Sequence, residues 1–458
     1  MNIRSATLLL SFSFAPAFAQ DLAIKAPPQE RAIAITNATI HPISGPAIEN
    51  GHIIFSGGII TNVGPGPAIL SGEADVIDAA GKHVWPGLIT PVSQLGLTEV
   101  DSVRATLDYN EVGEFTPEVR AAVAVNPDST LLPVTRSAGI LAFAAFPTGG
   151  RIPGRVSVMN MDGWTWESMT IADDAGLVLS WPRMHPSQDW WQSREGDQEK
   201  RTREQLDEID RFFDAAEAYF IARAADPARP TDLRFEAMRS IYAAEVAPRA
   251  KASSEKDTTE RDARQRPIFI LANDADQISA AVNWCARRSL RCVIVGGRDA
   301  MLCRDLLLQH DVPVIITGVH EFPKRSDSNF DGTFTLPAQL EKAGIRWTLA
   351  PSAGPDQQRN LALEMGRAVA YGLDRDDAHR ALTLGAAAIL GVDNRIGSLE
   401  PGKSATLIIT DGDPVETLTR VERAFIDGRS IDLANKQTDL ANKYREKYRQ
   451  MGLIPAGK

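Results

Sequence analysis

Cysteine is scarce in this chain of 458 residues, which holds only Cys285, Cys292 and Cys303. Three thiols cannot form the disulfide framework of a small secreted domain. Their apolar helix and strand surroundings mark them as buried thiols, with a 285–303 disulfide left open. Basic charge is also short: 49 Lys and Arg stand against 59 Asp and Glu, a formal net charge of −10. The chain therefore carries no general positive field to recruit nucleic acid or an anionic membrane, and small molecules or proteins are the expected partners. Histidine is the third shortage, seven in all, so where each one falls decides what metal or acid–base chemistry is open. With 43% apolar and 24% charged residues, a coiled coil, a mini-protein and a disordered chain are excluded.

What is present begins with residues 1–19. They combine one early charge (Arg4), an apolar run from Ala6 to Phe14 and the small-residue ending Ala17-Phe18-Ala19, the pattern of a secretory signal peptide cleaved before Gln20. The run is shorter than the ~20 residues that span a bilayer. No cysteine follows for lipid attachment, and Arg4 is not part of a twin-arginine pair. The expectation is an exported protein, periplasmic or secreted, without a membrane span.

Three textures follow. Residues 32–84 alternate short apolar runs with glycine turns at Gly45, Gly51, Gly57-Gly58, Gly64 and Gly66, which predicts short strands. From Trp85 to about Leu390, compact apolar runs such as Ile268-Phe269-Ile270-Leu271, Val293-Ile294-Val295 and Val314-Ile315-Ile316 are separated by helical stretches. Ile278, Ala281, Val282 and Cys285 share one face of a helix predicted over 276–289. Repeated strand and helix units with wholly apolar strands predict a parallel sheet buried on both faces. Strand texture returns over 396–431. The expected organisation is a signal peptide (1–19), a β-sandwich built from 20–84 and 395–434, a barrel over 85–394, and a charged helix and tail over 435–458.

Within the barrel region, Leu206, Ile209, Phe212, Phe213, Ala216 and Phe220 predict an amphipathic helix over 203–225 packed on the barrel wall. The charge-dense segment 252–266 reads as an exposed loop. Trp190-Trp191 suit either a lid over a pocket or a core contact. The glycine-rich Pro147-Thr148-Gly149-Gly150-Arg151-Ile152-Pro153-Gly154 suits an anion cradle or a turn, and lacks the Gly-Lys-Ser/Thr ending of a phosphate loop.

The order of several motifs resembles the amidohydrolase superfamily, in particular its imidazolonepropionase-like branch. They are Asn37-Ala38-Thr39-Ile40-His41-Pro42, Asp78-Ala79-Ala80-Gly81-Lys82-His83-Val84-Trp85-Pro86-Gly87-Leu88-Ile89, Ala381-Leu382-Thr383-Leu384-Gly385-Ala386, Ile396-Gly397-Ser398-Leu399-Glu400-Pro401-Gly402-Lys403-Ser404-Ala405 and Asp411-Gly412-Asp413-Pro414. The resemblance implies an α/β protein with a (β/α)8 TIM-like barrel whose site lies at the C-terminal ends of the strands, beside the composite β-sandwich. It also implies zinc or another divalent ion that lowers the pKa of a bound water, held by His-x-His after the first strand, Lys or Glu on the fourth, His on the fifth and sixth and Asp on the eighth.

This chain departs from that pattern. After Pro86-Gly87-Leu88-Ile89 stand Thr90, Pro91, Val92, Ser93 and Gln94, so both imidazoles are replaced. Leu271 holds the fifth-strand position, Val293-Ile294-Val295-Gly296-Gly297 offers no ligand on the sixth, and Ser352 aligns with the Asp of the eighth. The fourth-strand position is not placed; Glu245 and Lys251 lie in the loosely matching region. No metal site and no cofactor are carried over. The candidate pocket residues are Gln94, Asn273, His320 and Ser352. His320 follows an apolar strand toward the mouth; the other histidines (His41, His52, His83, His185, His310, His379) fall in strand-texture, loop or helix contexts. Two functions compete: a non-catalytic subunit binding a small molecule or an intact amidohydrolase relative, as a homo-oligomer or not, and an active C–N hydrolase with a rearranged or metal-independent site.

Overall fold

A computed structural model describes residues 21, 23–70, 72–184, 195–243, 246, 265–325, 328–352 and 354–454. The signal-peptide segment, His185, Trp190-Trp191, Glu245, Lys251 and residues 252–264 lie outside them.

The described residues form two eight-stranded sheets. Both ends of the chain contribute to the first: β1 (Ala32–Ile40), β2 (Ile48–Ser56), β3 (Ile59–Pro65), β4 (Ala74–Asp78) and β5 (His83–Pro86). The second holds β6 (Leu88–Ser93), β7 (Ile140–Ala145), β8 (Arg155–Asn160), β9 (Thr170–Ser180), β10 (Ile268–Ala272), β11 (Cys292–Gly296), β12 (Val314–Thr317) and β13 (Trp347–Ala350). The chain then returns to the first sheet through β14 (Leu407–Thr410), β15 (Val421–Ile426) and β16 (Arg429–Ile431). Strand β14 pairs antiparallel with β5, Leu407 opposite Pro86 and Thr410 opposite His83, and this joins the two chain ends.

Strands β6 to β13 are hydrogen-bonded in chain order and β13 packs back against β6, so the second sheet is a nearly closed barrel. Its strands are parallel except β8, which is antiparallel to both neighbours. The expected all-parallel sheet is broken here for a simple reason: a parallel crossover needs a dozen or more residues, and the glycine-rich segment from Pro147 to Gly154 turns the chain directly from β7 into β8. The fourth strand, unplaced in sequence, is β9, upstream of the long helix rather than near Glu245 and Lys251.

Inward residues of the barrel form one apolar cluster, including Ile89, Ala142, Val158, Val178, Phe269, Val293, Val295, Ile315 and Ala350. The helix Leu384–Leu390 plugs one end with Ala386, Ala387, Ile389 and Leu390. Helices cover the outer wall. Glu195–Ala225 buries Ile209, Phe213, Ala216 and Phe220, and Asp210, Asp214 and Glu217, about two turns of one face, converge on Arg288 at 2.8, 2.7 and 3.2 Å. All three cysteines are free and buried. The Cys303 thiol donates to the Ala275 carbonyl at 3.3 Å and contacts Ser279 at 3.4 Å. Cys285 and Cys292 instead line a cavity of about 180 Å³ with Val293, Pro313 and Ile389, at the plugged end. Among the described residues, no helix is long and apolar enough to cross a membrane.

Two polar clusters hold the end-strand sheet to the barrel. Asp162 is 2% exposed and accepts from Arg136 at 3.0 Å and from Arg429 on β16 at 2.7 Å. Removing one partner of such a buried pair costs about 3–5 kcal/mol, because the other charge is left without compensation. The second cluster is aromatic. The His41 ring lies flat on Trp85 (centroids 3.5 Å apart, 2° between planes), Trp85 meets His379 at 4.3 Å, and a His41 ring nitrogen shares a hydrogen bond with His83 at 3.0 Å. His379 bonds Asp413 at 2.7 Å, and Arg375 holds the other carboxylate oxygen at 2.8 Å.

This cluster sets a pH dependence. Burial, followed by the charges of His83 and His379, lowers His41 from its ordinary 6.5 to about 4. The unfolded chain then takes up the proton first, so stability from a neutral His41 is complete above about pH 6.5 and is lost as pH falls toward 4. Burial alone would raise Asp413, but bonds from His379, the Val415 amide and Arg375 bring it down to about 2. Its contribution is held above the ordinary 3.8 and lost toward pH 2. The denaturant midpoint should therefore fall between pH 6.5 and 4, and fall less steeply in His41→Gln; equal slopes for the two proteins would refute the assignment.

Candidate functional site

The parallel strands bring their C-terminal ends to one rim, the end of the barrel away from the plug. On β6 the pairing with β7 shifts register between Thr90 and Ser93. Pro91, which has no amide hydrogen to donate, sits in that irregularity. Val92 is half-buried and packs on the interior apolar cluster, and so does Leu271 on β10. These are the positions at which the resemblance expects imidazoles, and hydrocarbon side chains have no lone pair to offer a cation. Among the described residues, no three of His, Cys, Asp and Glu converge to hold a metal ion.

The four candidates separate. Gln94 is half-buried and turns toward the β7–β8 connection, donating to Thr148 at 3.1 Å. Asn273, at the end of β10, lies against Gly296 of β11. Gly296 has φ +106°, and a Cβ there would meet the Asn273 side-chain oxygen at 2.5 Å. Ser352, after β13, is packed in the same way on Gly318 (φ +81°), where a Cβ would meet the Ser352 Cβ at 2.0 Å. His320 is exposed and turns its ring to Phe334 of the outer helix Gly332–Ala343, with centroids 6.1 Å apart. The structure thus brings Asn273 and Ser352 onto two close strand-end contacts, β10 with β11 and β12 with β13.

Three groups that the sequence reading missed frame this half of the rim. Gln277 accepts from the amides of Asn273 (3.1 Å) and Asp274 (3.3 Å) and donates to the carbonyls of Trp181 and Pro182, fixing the end of β10 to the end of β9. The spacing Asp274-x-x-Gln277 is a capping box and was the signal that could have found it. Asp299 accepts two bonds from Arg325, both 2.8 Å, while its amide donates to the Asn273 carbonyl at 2.9 Å. Glu364 is 3% exposed on the helix Leu361–Ala370. It accepts from the Val319 amide at 3.1 Å and from the Ser352 amide, so one carboxylate ties the ends of β12 and β13. Burial pushes this carboxyl above its usual range, opposed by those two amides and the charge of His320. A lone acid in an apolar helix was its only mark in the sequence.

Comparison with known proteins agrees with this architecture. The family model of the amidohydrolase family matches residues 304–431. Imidazolonepropionase of Sphingopyxis alaskensis is 35% identical over 116 residues, which is 24% of this chain and 27% of that protein. The chain thus matches little more than a quarter of that relative's length. Among solved structures, an amidohydrolase from Thermotoga maritima is similar with a TM-score of 0.73 at 24% identity, covering 87% of this chain and 99% of the other. A Xaa-Pro dipeptidase with methionine bound in its active site reaches 0.51 at 14% identity, over 88% and 100%. At those identities the two structures speak to the fold alone. The family match over residues 304–431 and the local sequence match agree with the resemblance to the amidohydrolase superfamily, and the solved structures share the barrel fold.

Proposed function

We propose that this protein is an amidohydrolase-fold subunit of the imidazolonepropionase-like branch that has lost its metal centre and serves as a ligand-binding or partner protein. The observation that carries this reading is the packing of Val92 and Leu271 into the apolar barrel interior. A water-activating ion needs deprotonated ligands, and polar second partners to hold them; the donor set at these positions does not fit one. The occupant of the rim is a small molecule over Asn273 and Ser352, an intact amidohydrolase relative, or a second copy of the chain. Protein purified in excess zinc or manganese should hold far less than one metal equivalent by elemental mass spectrometry. A stoichiometric, chelator-removable ion accompanied by hydrolysis of acyl-amino acids, dipeptides or cyclic amides would overturn the proposal.

One observation favours the alternative of an active C–N hydrolase with a metal-independent site. Glu364 is a buried carboxyl with a raised pKa beside His320 and Ser352, the kind of group that acts as a general acid or base. Under this reading, hydrolysis of those substrates persists in chelator and disappears in Glu364→Gln at an unchanged melting temperature. Activity equal to wild type in that variant rules Glu364 out.

The proposal includes export, on the strength of the small-residue ending after the apolar run from Ala6 to Phe14. Expressed from its full sequence in a host with a secretory pathway, the protein should be recovered outside the cytoplasm with Gln20 as its first residue. A cytoplasmic protein that keeps residues 1–19 would contradict this.

A further inference from the structure

The helix Lys436–Gln450 is complete at both ends yet buries none of its residues. Asn435 closes a capping box with Thr438, and Gly452 (φ +69°) ends the helix with the Leu453 amide donating back to the Tyr448 carbonyl. A solitary helix of this length is marginal in water without an apolar face to bury. It has such a face. At about 100° per residue, Leu440, Tyr444, Tyr448 and Met451 fall within roughly 80° of one another. They are 52, 45, 43 and 59% exposed, and Leu453 and Ile454 continue the stripe.

The charges are sorted around that stripe. The same spacing sets Lys436, Lys443 and Lys447 along one edge and Arg445 along the other, while Asp439 and Glu446 fall on the opposite side of the helix. Lys447 lies over the Tyr444 ring at 5.6 Å, and Arg449 pairs with Glu446 on the far side. The helix holds five basic and two acidic side chains in a chain whose net charge is −10.

We propose that this helix docks the protein on an anionic phospholipid surface, with the Leu440–Tyr444–Tyr448–Met451 stripe in the acyl boundary and Lys443, Lys447 and Arg445 at the headgroups, while Lys436 is held by Thr130. An apolar stripe bordered by basic residues, with acids turned away, matches the charge profile of such an interface. The acidic remainder of the chain is repelled by the same surface, so the helix alone makes the contact and the barrel stands off. Side-by-side pairing with the same helix of a second copy would set lysine rows against each other while the acids face outward. The inference concerns a surface apart from the barrel mouth and does not depend on whether the mouth is catalytic.

The test is sedimentation of the full chain with vesicles of phosphatidylcholine alone or mixed with phosphatidylglycerol. Binding is expected on the mixed vesicles, reversed by 0.5 M salt (about a 4–5 Å Debye length), and absent on phosphatidylcholine. Each basic residue removed should lower partitioning roughly fivefold, so Lys443→Gln with Lys447→Gln lowers it about twenty-five-fold. Leu440→Ser with Met451→Ser should abolish binding, and both double variants should keep the wild-type melting temperature because the helix buries none of its residues and its bond to the rest of the fold, Lys436 to Thr130, is untouched. Failure to bind anionic vesicles, or binding unchanged in both double variants, overturns the proposal. So does a concentration-dependent dimer that Leu440→Ser with Met451→Ser converts to monomer, since a second copy then covers the stripe. Stoichiometric binding of an acidic protein through the stripe, with no vesicle binding, overturns it as well.

Discussion

Alternating residues of the barrel strands deliver Ile89, Val178, Phe269, Val293, Val295, Ile315 and Ala350 into one shared interior, and the plug helix fills its end with Ile389 and Leu390. A sheet this curved holds together because these side chains fill it, and the positions of all the rim residues follow from that filling. Near the rim the filling continues through Val92 and Leu271. An imidazole at either place would need a partner for its second ring nitrogen inside a hydrocarbon wall, at a desolvation cost of about 1–3 kcal/mol if none were found. At this depth an apolar packing layer and a metal-ligand layer compete for the same side chains, and Val92 and Leu271 belong to the packing layer.

The antiparallel strand β8 has a related consequence. A tight β7–β8 connection leaves no crossover helix on that side, and the β8–β9 ladder is covered by charged pairs: Arg120 with Asp173 at 2.7 Å and Arg155 with Asp174 at 3.3 Å, the latter carboxylate also accepting from Ser240. Those pairs fix the β8–β9 side, and Gln94 is drawn toward it by Thr148. Elsewhere on the rim Glu364 ties β12 to β13 and Gln277 ties β10 to β9.

Much of this fold was legible in the sequence because strong periodicity survives local detail. Ile278, Ala281, Val282 and Cys285 marked a helix observed as Ala275–Arg287, and the face of Ile209, Phe213, Ala216 and Phe220 marked the long helix, observed to start earlier, at Glu195. The apolar runs that became β10, β11 and β12 were legible for the same reason. Strands β8 and β9 were not. Asp173 and Asp174 interrupt β9 with charges that are tolerable only because Arg120 and Arg155 meet them across the fold, and no local pattern carries that information. The candidate site divides in the same way. The residue types at the motif positions could be read directly, whereas Glu364 and Asp299 act through partners some 45 and 26 residues distant, Val319 and Arg325.

The distribution of histidine shows the trade most directly. His41, His83 and His379 meet around Trp85 at the junction of the two sheets, so the shortage of imidazole at the rim reflects placement as well as supply. The His41 ring stacked on Trp85 joins the two surfaces without stranding a charge at that position, and Asp413 orients His379 from behind. Its cost is that protonation of His41 sets a charge at the seam against Trp85. His41 stands where the end-strand sheet meets the barrel, so its uptake of a proton acts on that junction.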